Sequence, residues 1–551
     1  MQSIKTNFKW LRFLVVIVLI FGILFRFVNL GKKVYWIEET ATSVRISGYS
    51  WAEMDKALGT YTRVPEIGIE DLQKYQRPNP QKSFMDTIKG LASEEPQLPP
   101  LYFLLVRLWV QWFGNTVAVI RSMSALISLL AFPCMYWLCL ELFESSLVGW
   151  IAIALLAVSP FHLIFAQEAR PYSIWTVATL LSSAVLLRAM RLKTKGSWGM
   201  YAATIPLGLY SHAFFGLVAI AHGIYVVALE GFRITKTVIA YLIASIIGFI
   251  FFLPWVLTII NNFSQVAFTT SWGQKKSWAL WGLGSQLTLL AKWARNISAA
   301  FLDADQDQKV ISLGFENGLA YLIQLSVVLI LLSLVVYSIY FIYRNAPRRV
   351  WLFILPLMGV TALFLTLPDL ISGTTRSTVP RYSVPCYIGI QLAVAYLLAS
   401  KIAPVSTQIW QQKLWRLILV ALISCGVLSG IVISQAESWW TKYGSYYDLQ
   451  MARIVNQAPK PLLICGGFEA TQSALPMIYV LEPKVRLQLV IEPNQPKISK
   501  GFSDVFLFKP SEEVLDKFKK EQPYKLKPVY EYTKSWLGRR ESGILLWRVE
   551  Q

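Results

Sequence analysis

The sequence predicts a polytopic α-helical membrane protein of about eleven crossings, with juxtamembrane helices in the first outer loop and a small C-terminal α/β domain. Three observations predict it. The chain of 551 residues is 55% hydrophobic with 21 Trp, too apolar for a soluble enzyme of that length. Apolar runs near membrane-spanning length recur from Phe13 to Ser434, and the basic residues gather in the short links between them. After Glu437 the composition turns soluble.

The net charge of +20 does not indicate nucleic acid, because the Lys and Arg mark topology and form no polyanion groove. Four of the five Cys (Cys134, Cys139, Cys386, Cys425) lie inside apolar runs and Cys465 stands alone in the tail. That spacing suits neither a disulfide framework nor a zinc site. Lys5, Lys9 and Arg12 precede the run Phe13 to Phe25 as in a signal peptide, but no small-residue cleavage site follows, so we read a retained first span.

Further runs follow at 117–143, 147–166, 172–190, 201–210, 214–229, 237–260, 319–343, 350–367, 384–400 and 414–434. The stretch from Pro99 to Gly114 decides the topology. It spans only about fifteen residues with Arg107 at its middle, and so reads as an interfacial helix and not a crossing. The basic links at 191–195, 233–236, 344–349 and 401–416 then share the cytoplasmic face with the N-terminus. This places the chain in the plasma (inner) membrane with its C-terminal domain extracytoplasmic. We expect a transmembrane domain over 1–435, holding a first outer loop (31–116) and an outer lid-like interval (261–317), followed by the α/β domain at 436–551.

The outer face receives the elaborate segments, which argues that the work is done there. In the first loop, Ser50-Trp51-Ala52-Glu53 is a capping box opening a short helix whose Trp51, Met54 and Leu58 should rest on the bilayer. Trp272, Trp278, Trp281 and Trp293, with Lys275, Lys276, Lys292 and Arg295, suggest a second surface-lying segment. Asp303, Asp305 and Asp307 alternate like the start of a calcium loop, but its glycine and distal glutamate are missing. The sequence therefore fixes no cofactor; a divalent metal stays open. In the tail, strands are expected near 462–465, 485–490, 505–508 and 544–549, with a helix near 512–520. Cys465 without a His in the tail is no nucleophile candidate.

The candidate chemistry starts at Tyr35-Trp36-Ile37-Glu38-Glu39-Thr40, where two adjacent carboxylates follow an aromatic pair at the end of the first span. A carboxylate can take the proton from an acceptor hydroxyl while a sugar is displaced from a phosphate, and arginines can hold the phosphate oxygens in pairs. Glu38 and Glu39 are the candidate bases. Arg170, Arg376 and Arg381 are candidate phosphate partners, against the alternatives of interfacial snorkelling for the latter two and a Glu168–Arg170 salt bridge for the first. His212 lies at an outward turn, either hydrogen-bonded there or catalytic.

In order, the acidic pair after Tyr35-Trp36, Glu94-Glu95 before Pro99-Pro100-Leu101-Tyr102, Ser159-Pro160 ahead of Gln167-Glu168-Ala169-Arg170-Pro171-Tyr172, then Tyr210-Ser211-His212 and Arg381-Tyr382 resemble glycosyltransferase family 39 and its GT-C relatives. Those relatives include protein O-mannosyltransferases and the aminoarabinose transferases of lipid A. The resemblance implies a GT-C-like cell-envelope enzyme moving a hexosyl or pentosyl unit from a polyprenyl-phosphate sugar to a glycan, lipid or protein acceptor. It places Glu38 and Glu39 at the catalytic centre, has the run with Glu94 and Glu95 before the paired prolines border the lipid-phosphate site, and has Glu168 with Arg170 face it. With these, Tyr102, Arg107, Tyr172, His212, Arg376, Arg381 and Tyr382 are our candidate substrate or lipid-phosphate contacts. Two positions depart from the pattern. Glu38 stands where relatives carry Asp, which moves the carboxylate by roughly an ångström, and Leu98 replaces a His before the prolines. These departures leave open a variant with a shifted site or one with impaired catalysis. The competing classes are a lipid-linked-sugar transporter or flippase, whose ionisable groups belong at mid-span, and a degenerate lipid-binding relative.

Overall fold

The computed structural model describes residues 9–61, 66–271, 283–303, 318–403, 408–442, 445–466, 468–490, 498, 500–520, 524–536 and 539–550. The chain opens with α1 (Lys9–Phe27), an apolar helix that ends in a buried arginine. Arg26 donates to Ser128 Oγ (3.0 Å) and to the carbonyls of Gly22 (2.7 Å) and Ala157 (2.8 Å), which binds three elements of the bundle together.

The first long loop folds into α2 (Ile37–Ser47), α3 (Trp51–Tyr61), α4 (Ile69–Gln73), α5 (Phe84–Glu94) and α6 (Leu101–Phe113). Glu38 and Glu39 occupy the first turn of α2 and Arg45 its last, the arrangement the helix dipole favours. Gly48 closes α2 in the left-handed region (φ 88°), where a side chain would also meet Lys82 and Arg107. The capping box of α3 is present: Ser50 Oγ accepts from Glu53 N (3.0 Å) and Glu53 accepts from Ser50 N (2.9 Å). With 13 residues, α6 rises about 20 Å, short of the roughly 30 Å of a hydrocarbon core.

The bundle continues with α7 (Val117–Leu129), α8 (Ala131–Phe143), α9 (Ser146–Val158), α10 (Pro160–Ala166), α11 (Tyr172–Leu192), α12 (Lys195–Ser211), α13 (Phe215–Leu229), α14 (Lys236–Ile250) and α15 (Leu253–Asn261). After these come α16 (Phe263–Thr269), α17 (Leu283–Ser298), α18 (Gly318–Asn345), α19 (Arg348–Ser372), α20 (Val384–Ile402) and α21 (Ile409–Gln435). Among the described residues seven helices are long and apolar enough to cross a membrane, or up to nine if each of the bent pairs α9–α10 (57°) and α14–α15 (58°) is one span. The expected eleven included α12 and α13, but at 17 and 15 residues these fall short of that length among the described residues. Lys193, Lys195 and Lys236 line a groove of about 550 Å³ at the first turn of α12, at the far end of that helix from His212.

The C-terminal domain holds α22 (Ser445–Gln457), β1 (Pro461–Gly466), α23 (Phe468–Met477), β2 (Arg486–Val490), β3 (Asp504–Phe508), α24 (Glu512–Lys520), β4 (Lys525–Trp536) and β5 (Arg539–Glu550). Its sheet runs β2-β1-β3-β5-β4, with β1 parallel to both neighbours and β5 antiparallel to β3 and β4. The long β4 was not anticipated, since its lysines and Pro528 break the apolar pattern of a strand, as suits a sheet edge.

The surface expected to cover α3 is not the one observed. Met54 and Leu58 of α3 are buried not on the bilayer but in a core shared with Met451, Val455, Leu475 and Leu487 of the C-terminal domain. Ile67 and Leu487 also exchange backbone hydrogen bonds (2.8 and 2.9 Å), so the first loop adds a bridge beside β2. Met54→Ala should cost about 2–5 kcal/mol and loosen the C-terminal domain from the loop, read as a lower unfolding midpoint and faster tryptic cleavage of the connection after α21. An unchanged midpoint would contradict the shared core.

Candidate functional site

The break between α9 and α10 at Ser159-Pro160, where Ser159 Oγ donates to Ala300 O (2.8 Å), delivers the turn 167–171 to the start of α2. There the two consecutive carboxylates part. Glu39 is fully buried and its oxygens accept from Arg121 Nε and Nη2 (2.7 Å each), Ala169 N (2.9 Å) and Lys442 Nζ (3.0 Å). Arg121 uses its remaining N–H groups on the carbonyls of Leu30 (2.7 Å), Lys33 (2.9 Å) and Val34 (2.9 Å). Burial alone would raise the Glu39 pKa, but Arg121 and Lys442 outweigh it and hold the carboxylate below its ordinary range.

Glu38 faces the other way, with a quarter of its side chain exposed (24%). Arg381 Nη2 donates to its Oε1 (2.5 Å), Tyr172 OH donates to Oε2 (3.3 Å) and Arg170 Nε approaches Oε2 at 3.4 Å. Arg170 also donates to Glu38 O and Thr42 Oγ1 (3.2 Å each). Burial opposes the Arg170 charge, yet Tyr172, Glu38 and Glu95 raise its pKa, so it stays cationic.

The wall beyond Arg381 is a short loop fixed by Asp369, which accepts from Thr374 Oγ1, Arg376 N (3.0 Å) and Ser377 N (2.7 Å). α17 clamps the same loop through Trp293 Nε1 to Ser377 Oγ (2.8 Å) and Asn296 Nδ2 to Thr378 O (2.9 Å). The Arg376 guanidinium is half-buried and pairs with no side chain among the described residues. Tyr382 packs on Phe214 (5.4 Å between centroids) and under Arg381. His212 stacks on Trp175 (4.1 Å) and accepts from Phe214 N (3.2 Å). Burial, with Arg170 and Arg381 nearby, lowers its pKa to about 3, leaving a neutral ring.

Residues 97–257, under a third of the chain, match the family model described as dolichyl-phosphate-mannose-protein mannosyltransferase. ArnT from Cupriavidus metallidurans in its apo state superposes with a TM-score of 0.51 at 12% identity, covering 99% of this chain and 98% of that one. At this identity the likeness to ArnT is one of fold. The same ArnT bound to undecaprenyl phosphate aligns at 0.45 and 13% identity over 98% of both chains. The Archaeoglobus fulgidus oligosaccharyltransferase tethered to an acceptor peptide aligns at 0.46 and 13% identity over 89% of this chain and 65% of that one. No curated protein sequence matches.

Within this fold the structure brings Glu38, Arg170, Tyr172, Arg381, Tyr382 and His212 to one rim. Apart from Arg376, the other anticipated residues have internal partners. Glu94 and Glu95 both pair with Arg45 of α2, and Glu94 also accepts from the first amides of α3. Tyr102 OH meets Ser124 Oγ (2.7 Å), and Arg107 clamps the carbonyls of Ile46 (2.7 Å) and Lys82. The Glu168–Arg170 salt bridge is not formed: Arg170 takes Glu38, while Glu168 lies buried 3.4 Å from Lys442. Glu168 is pushed up in pKa by burial first and then by Glu39 and Glu38.

Arg121, Asp369 and Lys442 were missed. Arg121 carried a signal, a cation one turn inside an otherwise apolar helix. Asp303 accepts from the indoles of Trp439 (3.1 Å) and Trp440 (2.7 Å), a structural pin; Asp305 and Asp307, with Trp272, Lys275, Lys276, Trp278 and Trp281, lie outside the described residues. Among the described residues no three metal-ligating side chains converge.

Because the Glu39 pKa is depressed on folding, its contribution is complete at neutral pH and is lost as pH falls below the ordinary carboxylate range. Glu39→Gln strands a buried arginine and should cost about 3–5 kcal/mol, flattening the acid limb of the stability curve, whereas Glu38→Gln should leave thermal unfolding nearly unchanged. Equal losses in both variants would contradict this division.

Proposed function

We propose that this chain is a membrane glycosyltransferase that moves a hexosyl or pentosyl unit from a polyprenyl-phosphate donor to an acceptor at the outer membrane surface. The observation that carries the reading is the placement of one part-exposed carboxylate, Glu38, against Arg381 and Arg170, with Arg376 one short loop away. In the proposed step the acceptor oxygen bonds to the sugar's anomeric carbon as that carbon's bond to the phosphate oxygen breaks. Glu38 takes the acceptor proton, and the departing phosphate keeps the electron pair under the charges of Arg376 and Arg381. A phosphate entering beside Arg381 competes with Glu38 for that guanidinium and so frees a carboxylate oxygen for the proton.

The longer side chain at position 38 fits this arrangement, since the arginine pair and Tyr172 hold its carboxylate from three sides and fix where the extra methylene puts it. A transporter draws less support from the charges inside the bundle. Arg26 is engaged by Ser128 and carbonyls near a helix end, and Arg121 by Glu39 and carbonyls, so neither is free to meet cargo.

With a labelled sugar on undecaprenyl phosphate and a membrane extract as acceptor source, Glu38→Gln should lower the transfer rate by about 10²–10⁴-fold. Glu38→Asp, which withdraws the carboxylate from Arg381, should fall between the two. A wild-type rate in Glu38→Gln would remove the base from this account.

A further inference from the structure

Among the described residues, one side chain of the C-terminal domain reaches the buried acids of the site. The connection after α21 is threaded under the first loop: Val34 N donates to Glu437 O (2.8 Å), and the indoles of Trp439 and Trp440 donate to Asp303. Lys442 follows, and only 1% of its side chain is exposed. Its ammonium lies 3.0 Å from Glu39 Oε2 and 3.4 Å from Glu168 Oε1.

Those two carboxylates belong to different elements. Glu39 follows Glu38 in α2, and Glu168 lies two residues before Arg170, which holds both the side chain and the carbonyl of Glu38. One ammonium thus ties the helix that carries Glu38 to the turn that grips it. We propose that Lys442 is a positioning residue through which the docked C-terminal domain sets the geometry of the Glu38 site.

The charges around it explain why a cation belongs there. Glu39 and Glu168 face it, Glu38 acts on Glu168 from beyond, and Arg121, Lys33, Arg170 and Arg381 ring the same acids. Glu39 keeps Arg121 and Ala169 N if Lys442 is lost, but Glu168 makes no hydrogen bond and has no other cation within 4 Å among the described residues. Two buried acids would then face each other without the charge between them, which drives the turn and α2 apart or forces a proton onto Glu168. Docking is secured elsewhere by Tyr479, which packs on Tyr35 (4.5 Å) and donates to Ser43 Oγ (3.3 Å). Undocking withdraws Lys442 along with these contacts.

The inference rests on the transferase reading for its consequence in rate but not for its consequence in structure. Lys442→Met and Lys442→Arg are to be compared with Arg453→Gln, which breaks an exposed ion pair with Glu437 on the same connection. In the transfer assay Lys442→Met should lower kcat at least tenfold with the donor KM within about threefold, Lys442→Arg should recover most of the rate, and Arg453→Gln should match the wild type. Amide hydrogen exchange in Lys442→Met should rise in 36–42 and 167–171 and stay unchanged in the C-terminal sheet. Unchanged exchange in those two segments, or a rise throughout the sheet with kcat and undecaprenyl-phosphate binding capacity falling in parallel, would overturn the positioning role. A wild-type protein that transfers no sugar would instead refute the transferase reading, and the exchange pattern would still decide the role of Lys442.

Discussion

The buried pair of Glu39 and Arg121 fixes the rest of the site. Arg121 rises from an apolar bundle helix and directs all its N–H groups at one target, the carboxylate of Glu39 and three carbonyls of the chain that leads into α2. An arginine placed there without its acid would be an unpaired buried charge, and the acid without its arginine equally so. The pair is therefore made together or not at all, and in being made it nails the start of α2 to the bundle. Specificity of placement, more than net stability, is what such a pair contributes.

Neighbouring residues on a helix point about 100° apart, and that angle turns a duplicated carboxylate into two different groups. Glu39 points inward and is saturated with donors; Glu38 turns toward the rim and meets Arg170, Arg381 and Tyr172. The helix dipole favours both acids in the first turn, so the motif is compatible with the local structure while its two members do unlike work. Around them the charges are layered. Glu94, Glu95 and Arg45 lock the loop helices to each other, Asp369 shapes the Arg376–Arg381 loop, and Lys442 joins the acids from below.

Much of this was legible in the sequence. Apolar runs gave most of the spans, the stretch around Arg107 is the short helix its length suggested, and the polar turns do bring Glu38, Arg170 and Arg381 together. Long-range pairing was not legible. Nothing local says that Arg45 takes Glu94 and Glu95, or that Arg170 prefers Glu38 to the acid two residues before it. The tail read as an appendage because its docking surface is divided between Met54 and Leu58 on one side and Met451 and Leu475 on the other, roughly 400 residues apart in the chain. The amphipathic face of α3 was evident in the sequence; a helix pattern shows that a face is buried but not whether lipid or protein covers it.

The groups proposed for transfer gather at one rim, around a Glu38 held in place by the Glu39–Arg121 pair. The most direct measurement is a structure of the detergent-solubilised protein with undecaprenyl phosphate. The account predicts the phosphate between Arg376 and Arg381, within reach of Glu38, with the Glu39–Arg121 pair unmoved. Phosphate bound instead in the groove of Lys193, Lys195 and Lys236 at the opposite end of α12 would contradict it.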